Sequence, residues 1–273
     1  MNQVAFSLGG FAFYWYGVLL ASAFIVGLLN ATWVGRRTGR TFPLFSDLLF
    51  WVVVGGIVGA RLAYVGANWG EFSHNMLKIL NLRGGGLVFY GGFAGAFLAF
   101  LLFIRQYREN FWSLSDIAIT SLPLGHAIGR VGCFMQGCCY GTPTTSAFGV
   151  LYPSGSPVWH SQVQAGLLPD TATACLPVHP VQLYESAANL LIWVALIFFY
   201  RRPHRDGRVL ALYMMLYALT RFSLEFLRGD ERLRSMANIS LAQMTSVVLF
   251  AAGLGVWCLL GRTVAETPRT EPR

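Results

Sequence analysis

The sequence predicts an all-α integral membrane protein with about seven transmembrane helices and a small extracytoplasmic cap. Of the 273 residues, 55% are hydrophobic and only 12% are charged, whereas about a quarter are charged in an ordinary soluble domain. The apolar residues occur in blocks long enough to cross a hydrocarbon core of about 30 Å as helices. This composition excludes a disordered chain, a collagen-like chain and a typical cytosolic enzyme.

Seven apolar stretches are long enough to span a bilayer, and we expect the first of them to remain in the mature protein. No Lys or Arg precedes Arg36, so the basic region that opens a cleaved signal peptide is lacking. No repeat or linker divides the chain, which favours a single membrane domain over residues 1–273. The predicted spans are residues 14–35, 46–68, 85–104, 114–132, 183–200, 209–227 and 240–260.

The basic residues between the spans predict the orientation. Twelve of them fall in one set of loops and only five in the opposite set, and the richer set faces the cytoplasm. The N-terminus is therefore expected outside and the C-terminus in the cytoplasm. Residues 133–182 then form an extracytoplasmic cap, inserted between the fourth and fifth spans, whose aromatic content favours packing. The net charge of +8 is spread over these short loops, which does not indicate a nucleic-acid partner.

Charged residues lie inside the sixth predicted span, where burial in lipid is costly. Tyr217, Arg221, Glu225 and Arg228 recur at helical spacing and therefore share one stripe of the helix. Glu225 lies one turn beyond Arg221 and can neutralise it. One interpretation is a structural ion pair with Arg228 extending to the interface; the other is a functional site.

A second arginine favours the functional interpretation. Arg130 lies at the outer end of the fourth span between Gly129 and Gly132, where glycines permit close backbone approach. Two arginines near one membrane boundary are typical of an anion receptor, because the guanidinium fork matches phosphate oxygens. The anion at that depth is a phospholipid headgroup. Arg61 is a third candidate, for which helix packing or headgroup anchoring are equally good explanations.

Three cysteines lie within seven residues, at Cys133, Cys138 and Cys139. Their spacing does not match the common zinc pattern, so we expect no metal. A disulfide among these cysteines and Cys175 is the favoured prediction for an oxidising compartment. His179 lies between two prolines and is either a polar clamp at the membrane interface or a structural histidine.

Five segments together resemble the prolipoprotein diacylglyceryl transferase family of bacterial membrane enzymes. The resemblance covers almost the whole chain, and the order and spacing of the segments make it specific. They are Tyr14-Trp15-Tyr16-Gly17, residues 84–92 with Tyr90-Gly91-Gly92, residues 129–137 from Gly129-Arg130 to Gln136-Gly137, residues 179–185 from His179-Pro180 to Tyr184-Glu185, and Tyr217-x3-Arg221-x3-Glu225-Phe226-x-Arg228.

The resemblance implies an enzyme of the bacterial plasma (inner) membrane that requires no cofactor. Its partners are the bilayer, phosphatidylglycerol and a prolipoprotein whose signal peptide ends in a lipobox cysteine. The diacylglyceryl group of the lipid passes to the cysteine thiol, forming a thioether and releasing glycerol 1-phosphate. The family pattern makes Arg130 and Arg221 catalytic, with Arg130 on the lipid phosphate. The substrate-binding residues that it implies are Arg130, Tyr16, Gly141, Gln136, Tyr217, Glu225, Arg228 and His179.

The sequence departs from the family pattern at three positions. Tyr90 replaces a histidine proposed as the base, and Cys133 and Cys138 replace an asparagine and an acidic residue. A phenol is a poor base at neutral pH unless a nearby arginine activates it, so Tyr90 is expected to be catalytic as a base or to orient the thiol or the phosphate.

Two other functions are compatible with parts of the pattern. A non-catalytic protein that binds or transports phospholipids would keep the fold and the arginines but lack a base. A phospholipid enzyme that uses a divalent metal would cluster its carboxylates in one or two spans. Here Asp47, Asp116, Glu185 and Glu225 are scattered over four, which disfavours the metal-dependent enzyme.

Overall fold

The computed structural model describes residues 4–9, 11–73, 75–81, 85–229 and 239–261. Helices dominate these residues, and a two-stranded antiparallel hairpin precedes them. The elements are β1 (Val4–Leu8), β2 (Phe11–Tyr14), α1 (Trp15–Gly35), α2 (Phe42–Ala67), α3 (Trp69–Phe72), α4 (Phe89–Tyr107), α5 (Phe111–Gln136), α6 (Pro157–Gln164), α7 (Val181–Tyr200), α8 (Arg208–Glu225) and α9 (Leu241–Leu259), with short 3-10 helices at Arg36–Thr38 and Met76–Leu80.

Six of these helices are long and apolar enough to cross a membrane, counted over the described part of the chain. They are α1, α2, α4, α5, α7 and α9, each of which coincides with a predicted span. The predicted class, a helical membrane protein, is confirmed at this level. The sixth predicted span corresponds to α8, which has 18 residues but carries the charges of Arg208, Arg221 and Glu225. The count of seven spans therefore stays a prediction.

The third predicted span begins four residues too early. Residues 85–104 were expected to be helical, but α4 begins at Phe89. Gly85 and Gly86 adopt φ angles of +78° and +79°, which belong to the left-handed region and cannot continue into a right-handed helix. The glycines shape the turn before α4 instead of forming its first residues.

The chain divides into two compact units. The unit from Ala31 to Leu114 is built on the packing of α2 against α4. Glycines line the crossing: a Cβ added at Gly59 would lie 2.7 Å from the Cα of Gly95. Small residues at the crossing allow two helices to approach this closely in lipid.

The other unit draws on residues up to Asn30 and from Ser115 onward. In it, α8 packs between α7 and α9. Residues 137–180 contain α6 and isolated β-bridges and pack around a core of their own. That core comprises Tyr140, Tyr152, Val158, Cys175 and Val178. The segment is thus packed, as its aromatic content predicted, while its side of the membrane and the single-domain organisation remain predictions.

The disulfide prediction is wrong. All five cysteines belong to the described residues, and all five are free thiols. Cys175 lies in the core of residues 137–180, where its sulfur accepts a hydrogen bond from the Tyr152 backbone N–H at 3.1 Å. Hydrophobic packing and this hydrogen bond hold Cys175 in place of a covalent bond.

Candidate active site

One face of α5 presents a row of polar side chains near the end of the helix. His126, Arg130 and Cys133 are separated by four and three residues, a spacing that places them above one another on the same side of a helix. The Arg130 side chain is 13% exposed. A cation so deeply placed in an apolar helix requires partners close by.

Glu185 in the first turns of α7 supplies the central partner. Its carboxylate forms an ion pair with Arg130 and lies 3.4 Å from Nη1 of Arg221 and 3.8 Å from Nη1 of Arg228. The side chain is only 4% exposed. Pro180 precedes the helix, so α7 begins at Val181, about one turn before Glu185. The start of α7 therefore lies beside α5 and α8.

The stripe predicted on α8 is present. Nη1 of Arg221 lies 2.7 Å from the Glu225 carboxylate, which confirms the predicted pairing one turn apart. The side chains of Arg221, Arg228 and Glu225 are 16%, 8% and 2% exposed. The helical period of the sequence was sufficient to predict this contact.

Positive charge is concentrated in this cluster. Among the described residues, the ion-pair network joins three arginines (Arg130, Arg221 and Arg228) to two glutamates (Glu185 and Glu225). Guanidinium groups match the geometry of phosphate oxygens, so an anion such as a phosphate monoester or diester can bind beside them.

His126 fixes the orientation of Arg130. Nε of Arg130 donates a hydrogen bond to Nε2 of His126 at 3.1 Å, so this ring nitrogen carries no proton and the imidazole is neutral. The ring also packs against Tyr217, with centroids 5.7 Å apart. His126 therefore leaves the guanidinium Nη groups of Arg130 to other partners.

Gly141 joins the site to residues 137–180. Its N–H donates to the carbonyl oxygen of His179 at 2.9 Å, and it forms a β-bridge with Arg228. A Cβ at this position would lie 2.6 Å from atoms of His179 and 2.7 Å from Val181. Only glycine allows this close passage, which holds the start of α7 and the end of α8 together. The His179 ring lies beside Tyr184, with Nδ1 at 3.5 Å from the phenol.

Tyr16 and Gln136 line the same apolar cavity. The cavity has a volume of about 490 Å³ and is otherwise walled by Ala12, Phe13, Tyr14, Gly17 and Val18. Tyr16 also borders α5, because a Cβ added at Gly132 would lie 3.3 Å from its ring. Gln136, which lines the cavity from α5, lies six residues beyond Arg130.

The three neighbouring cysteines form a cluster at the end of α5. The sulfurs of Cys133, Cys138 and Cys139 all lie within 4.8 Å of one another. Hydrogen bonds from the Cys133 and Cys138 thiols lower the pKa of the Cys139 thiol, and the positive charges of Arg228 and Arg130 act in the same direction. None of the three residues is fully buried.

Comparison with known proteins decides the family. The family model for prolipoprotein diacylglyceryl transferase matches residues 3–259. The chain belongs to this family. A phosphatidylglycerol–prolipoprotein diacylglyceryl transferase from Synechocystis is 36% identical over 95% of this chain and 90% of its own length. Similar proteins of the same name from Clostridioides difficile and Enterococcus faecalis are 31% and 33% identical, each over 93% of this chain and over 93% and 88% of their own lengths.

Nine of the ten residues to which the family resemblance gave a role fall in one of the two units. Arg130, Tyr217, Arg221, Glu225 and Arg228 belong to the ion-pair cluster or touch it. Tyr16, Gln136, Gly141 and His179 lie on the elements around it. Tyr90 belongs to the other unit, in the first turn of α4, where it is 62% exposed and its ring lies 5.8 Å from that of Phe89.

Arg61 has a structural role in the unit that contains Tyr90. Its guanidinium donates to five backbone carbonyls, those of Lys78, Ile79, Asn81, Gly85 and Gly86, at 2.7 to 3.1 Å. Tyr64 and Phe72 cover its flat faces. With its donors occupied in this way, Arg61 shapes the loop that leads into α4, and the packing explanation is the one that the structure supports.

Sequence reasoning missed the two residues that organise the arginines. Glu185 was noticed only as part of a family motif and as one of four scattered acids, and His126 was given no role. A lone carboxylate in an apolar helix is itself a signal, because intramembrane acids generally pair with a cation. The partner was not readable, since Glu185 and Arg130 lie 55 residues apart.

Proposed function

We propose that this protein transfers the diacylglyceryl group of phosphatidylglycerol to the lipobox cysteine of prolipoproteins. The names of the relatives and the family membership support this function. The structural observation that carries it is the convergence of Arg130, Arg221 and Arg228 on Glu185, set among apolar helices beside the end of α5, the start of α7 and the end of α8. A protein that only binds phospholipids would share this receptor, so turnover separates the two.

The arginines act on the phosphate of the lipid. Arg130 binds it, held in place by Glu185 and His126, and Arg221 lies beside it with Glu225 fixing its side chain. The cysteine sulfur attacks C3 of the glyceryl unit, the new C–S bond forms and the C–O bond to the phosphate breaks. Negative charge then grows on the departing glycerol 1-phosphate, and preorganised guanidiniums stabilise it most strongly in a site of low dielectric.

The remaining residues shape the site around the two substrates. Arg228 adds positive charge and is tied to Gly141 by the β-bridge. Tyr16 and Gln136 line the apolar cavity, which accommodates part of the lipid or of the signal peptide. Tyr217 and His179 enclose the site from α8 and from the segment before α7.

The thiol must lose its proton before or during the attack, because the thiolate is the nucleophile. Tyr90 replaces the histidine of the familiar pattern. We assign to its phenol the orientation of the thiol or the phosphate through hydrogen bonds, while the thiol proton passes to water.

The site belongs near one surface of a bacterial inner membrane. Arg130 lies near the end of α5, Glu185 near the start of α7 and Arg221 near the end of α8, all next to residues 137–180. With seven spans, the N-terminus outside and the C-terminus in the cytoplasm, residues 133–182 cap the outer side of a single membrane domain. The lipobox cysteine then reaches the arginines from the outer leaflet.

The test is a gel-shift assay with purified protein, phosphatidylglycerol vesicles and a lipobox peptide. We expect Arg130→Ala and Arg221→Ala to abolish modification of the peptide while the proteins stay folded. Arg202→Ala is the matched control. Arg202 covers the Phe198 ring, about 25 Å from Glu185 along the direction of α7. The Arg202→Ala protein should therefore modify the peptide at the wild-type rate. A folded wild-type protein that binds phosphatidylglycerol without modifying the peptide would establish the lipid-binding alternative.

A further inference from the structure

The cysteine cluster at the end of α5 has no part in the proposed transfer. Cys133 lies in the last turn of α5, which ends at Gln136. The chain then reverses direction at Gly137, which brings Cys138 and Cys139 close to Cys133. The N–H of Cys138 donates to the Cys133 carbonyl at 3.2 Å. This reversal brings all three sulfurs within 4.8 Å of one another.

The backbone at Cys139 is held in an unfavourable conformation that serves this convergence. Its φ angle is +60°, in the left-handed region that non-glycine residues rarely adopt and that costs of the order of 1–2 kcal/mol. Strain of this kind persists where the surrounding structure demands it, and it concentrates at ligand and active sites. The strained residue is the one that completes the group of three sulfurs.

The spacing of the sulfurs fits one metal ion. A metal–sulfur bond of about 2.3 Å in a trigonal plane separates the sulfurs by about 4.0 Å, and the observed separations lie within 4.8 Å. No fourth His, Cys, Asp or Glu joins the three, among the residues that the structure describes. Structural zinc sites use four ligands, whereas soft thiolate donors favour Cu(I), for which three sulfurs are a sufficient set.

The charge of the surroundings also fits a thiolate complex. Each thiol that binds the ion releases its proton to solvent, so one Cu(I) with three thiolates carries a net negative charge. Arg130 lies one helical turn before Cys133 on the same face of α5, and its positive charge offsets part of that charge. The partial exposure of all three cysteines leaves the ion a path to the site.

We propose that Cys133, Cys138 and Cys139 form a three-thiolate binding site for a soft monovalent metal ion, namely Cu(I). The site is independent of the transfer reaction, and it exists whether or not the protein turns over lipid. The ion would lie beside the arginines that bind the lipid phosphate.

The test is an anaerobic Cu(I) titration of the reduced full-length protein in detergent against a chromogenic Cu(I) chelator. We expect one tightly held Cu(I) per chain, with an ultraviolet sulfur-to-copper charge-transfer band. Cys138→Ser should lower the affinity at least about tenfold. Cys258→Ser is the matched control, because Cys258 is exposed in α9 and its loss should change nothing. Thermal melting establishes that each variant is folded.

Three results would overturn the proposal. One is a reduced, folded wild-type protein that holds no Cu(I) against the chelator. Another is binding that survives unchanged in both Cys133→Ser and Cys138→Ser. The third is a preference for Zn(II), seen as displacement of bound Cu(I) by an equal concentration of Zn(II). None of these measurements requires lipid or peptide, so they stand apart from any failure of the transferase assay.

Discussion

Glu185→Gln removes the charge that three arginines share and keeps the shape of the side chain. In the structure the Glu185 carboxylate pairs with Arg130 and approaches Arg221 and Arg228. The amide still offers one oxygen acceptor but no negative charge. The repulsion among the arginines is then less well compensated, and the positions of Arg130 and Arg221 are no longer fixed.

The size of the effect follows from the burial of Glu185, whose side chain is only 4% exposed. Breaking a buried ion pair by neutralising one partner costs about 3–5 kcal/mol of stability. The loss of a single preorganised group that stabilises transition-state charge costs about 10²–10³ in kcat. We therefore expect transfer by Glu185→Gln to fall at least about 10²-fold, with a clear drop in melting temperature.

The assay compares this variant with a matched carboxylate outside the site. Glu109 pairs with Arg40 at 2.7 Å, and its side chain is 18% exposed, so Glu109→Gln also removes a partly buried charge pair but should leave the initial rate of transfer unchanged. Both proteins are measured for melting temperature in detergent and for initial rate with phosphatidylglycerol and peptide. Wild-type activity and stability in Glu185→Gln would refute the role assigned to the carboxylate.

Three further substitutions test neighbouring features of the site. His126→Gln keeps an acceptor for the arginine N–H and should retain most of the transfer rate, whereas His126→Leu should lose at least about tenfold; equal rates would contradict the positioning role. Gly141→Ala places a methyl carbon 2.6 Å from atoms of His179, so thermal unfolding should show a loss of about 1–3 kcal/mol that Gly255→Ala, with open space around it, does not share. Tyr90→Phe should lower the peptide-modification rate without altering its pH profile, and a profile shifted by this change would make the phenol the base.

The helices could be predicted from the sequence because the length of an apolar segment is a local property of the chain. The boundaries differ most where backbone conformation intervenes, as at Gly85 and Gly86, whose positive φ angles delay α4. The α8 helix was also predicted, and two of the charges that weaken it as a span, Arg221 and Glu225, belong to the site. The contact between Arg221 and Glu225 was predictable because it lies within one helical turn.

The tertiary contacts of the site were not readable in the same way. No periodicity connects Arg130 of α5 with Glu185 of α7, and the hydrogen bond from Arg130 to His126 depends on a rotamer. The reversal at Gly137 decides that Cys133, Cys138 and Cys139 converge as free thiols, where compartment and spacing had favoured a disulfide. A core assembled from bridges between residues 140–153 and 174–179 is likewise a property of the folded chain.

Quantifying both products of one reaction is the most direct test of the proposed diacylglyceryl transfer. Wild-type protein is incubated with phosphatidylglycerol vesicles and a lipobox peptide. Mass spectrometry quantifies the modified peptide, and phosphorus NMR identifies and quantifies the released phosphate ester. We expect one diacylglyceryl thioether for each glycerol 1-phosphate released, and neither product from Arg221→Ala. Modified peptide without glycerol 1-phosphate, or equal product from Arg221→Ala, would contradict the proposed transfer.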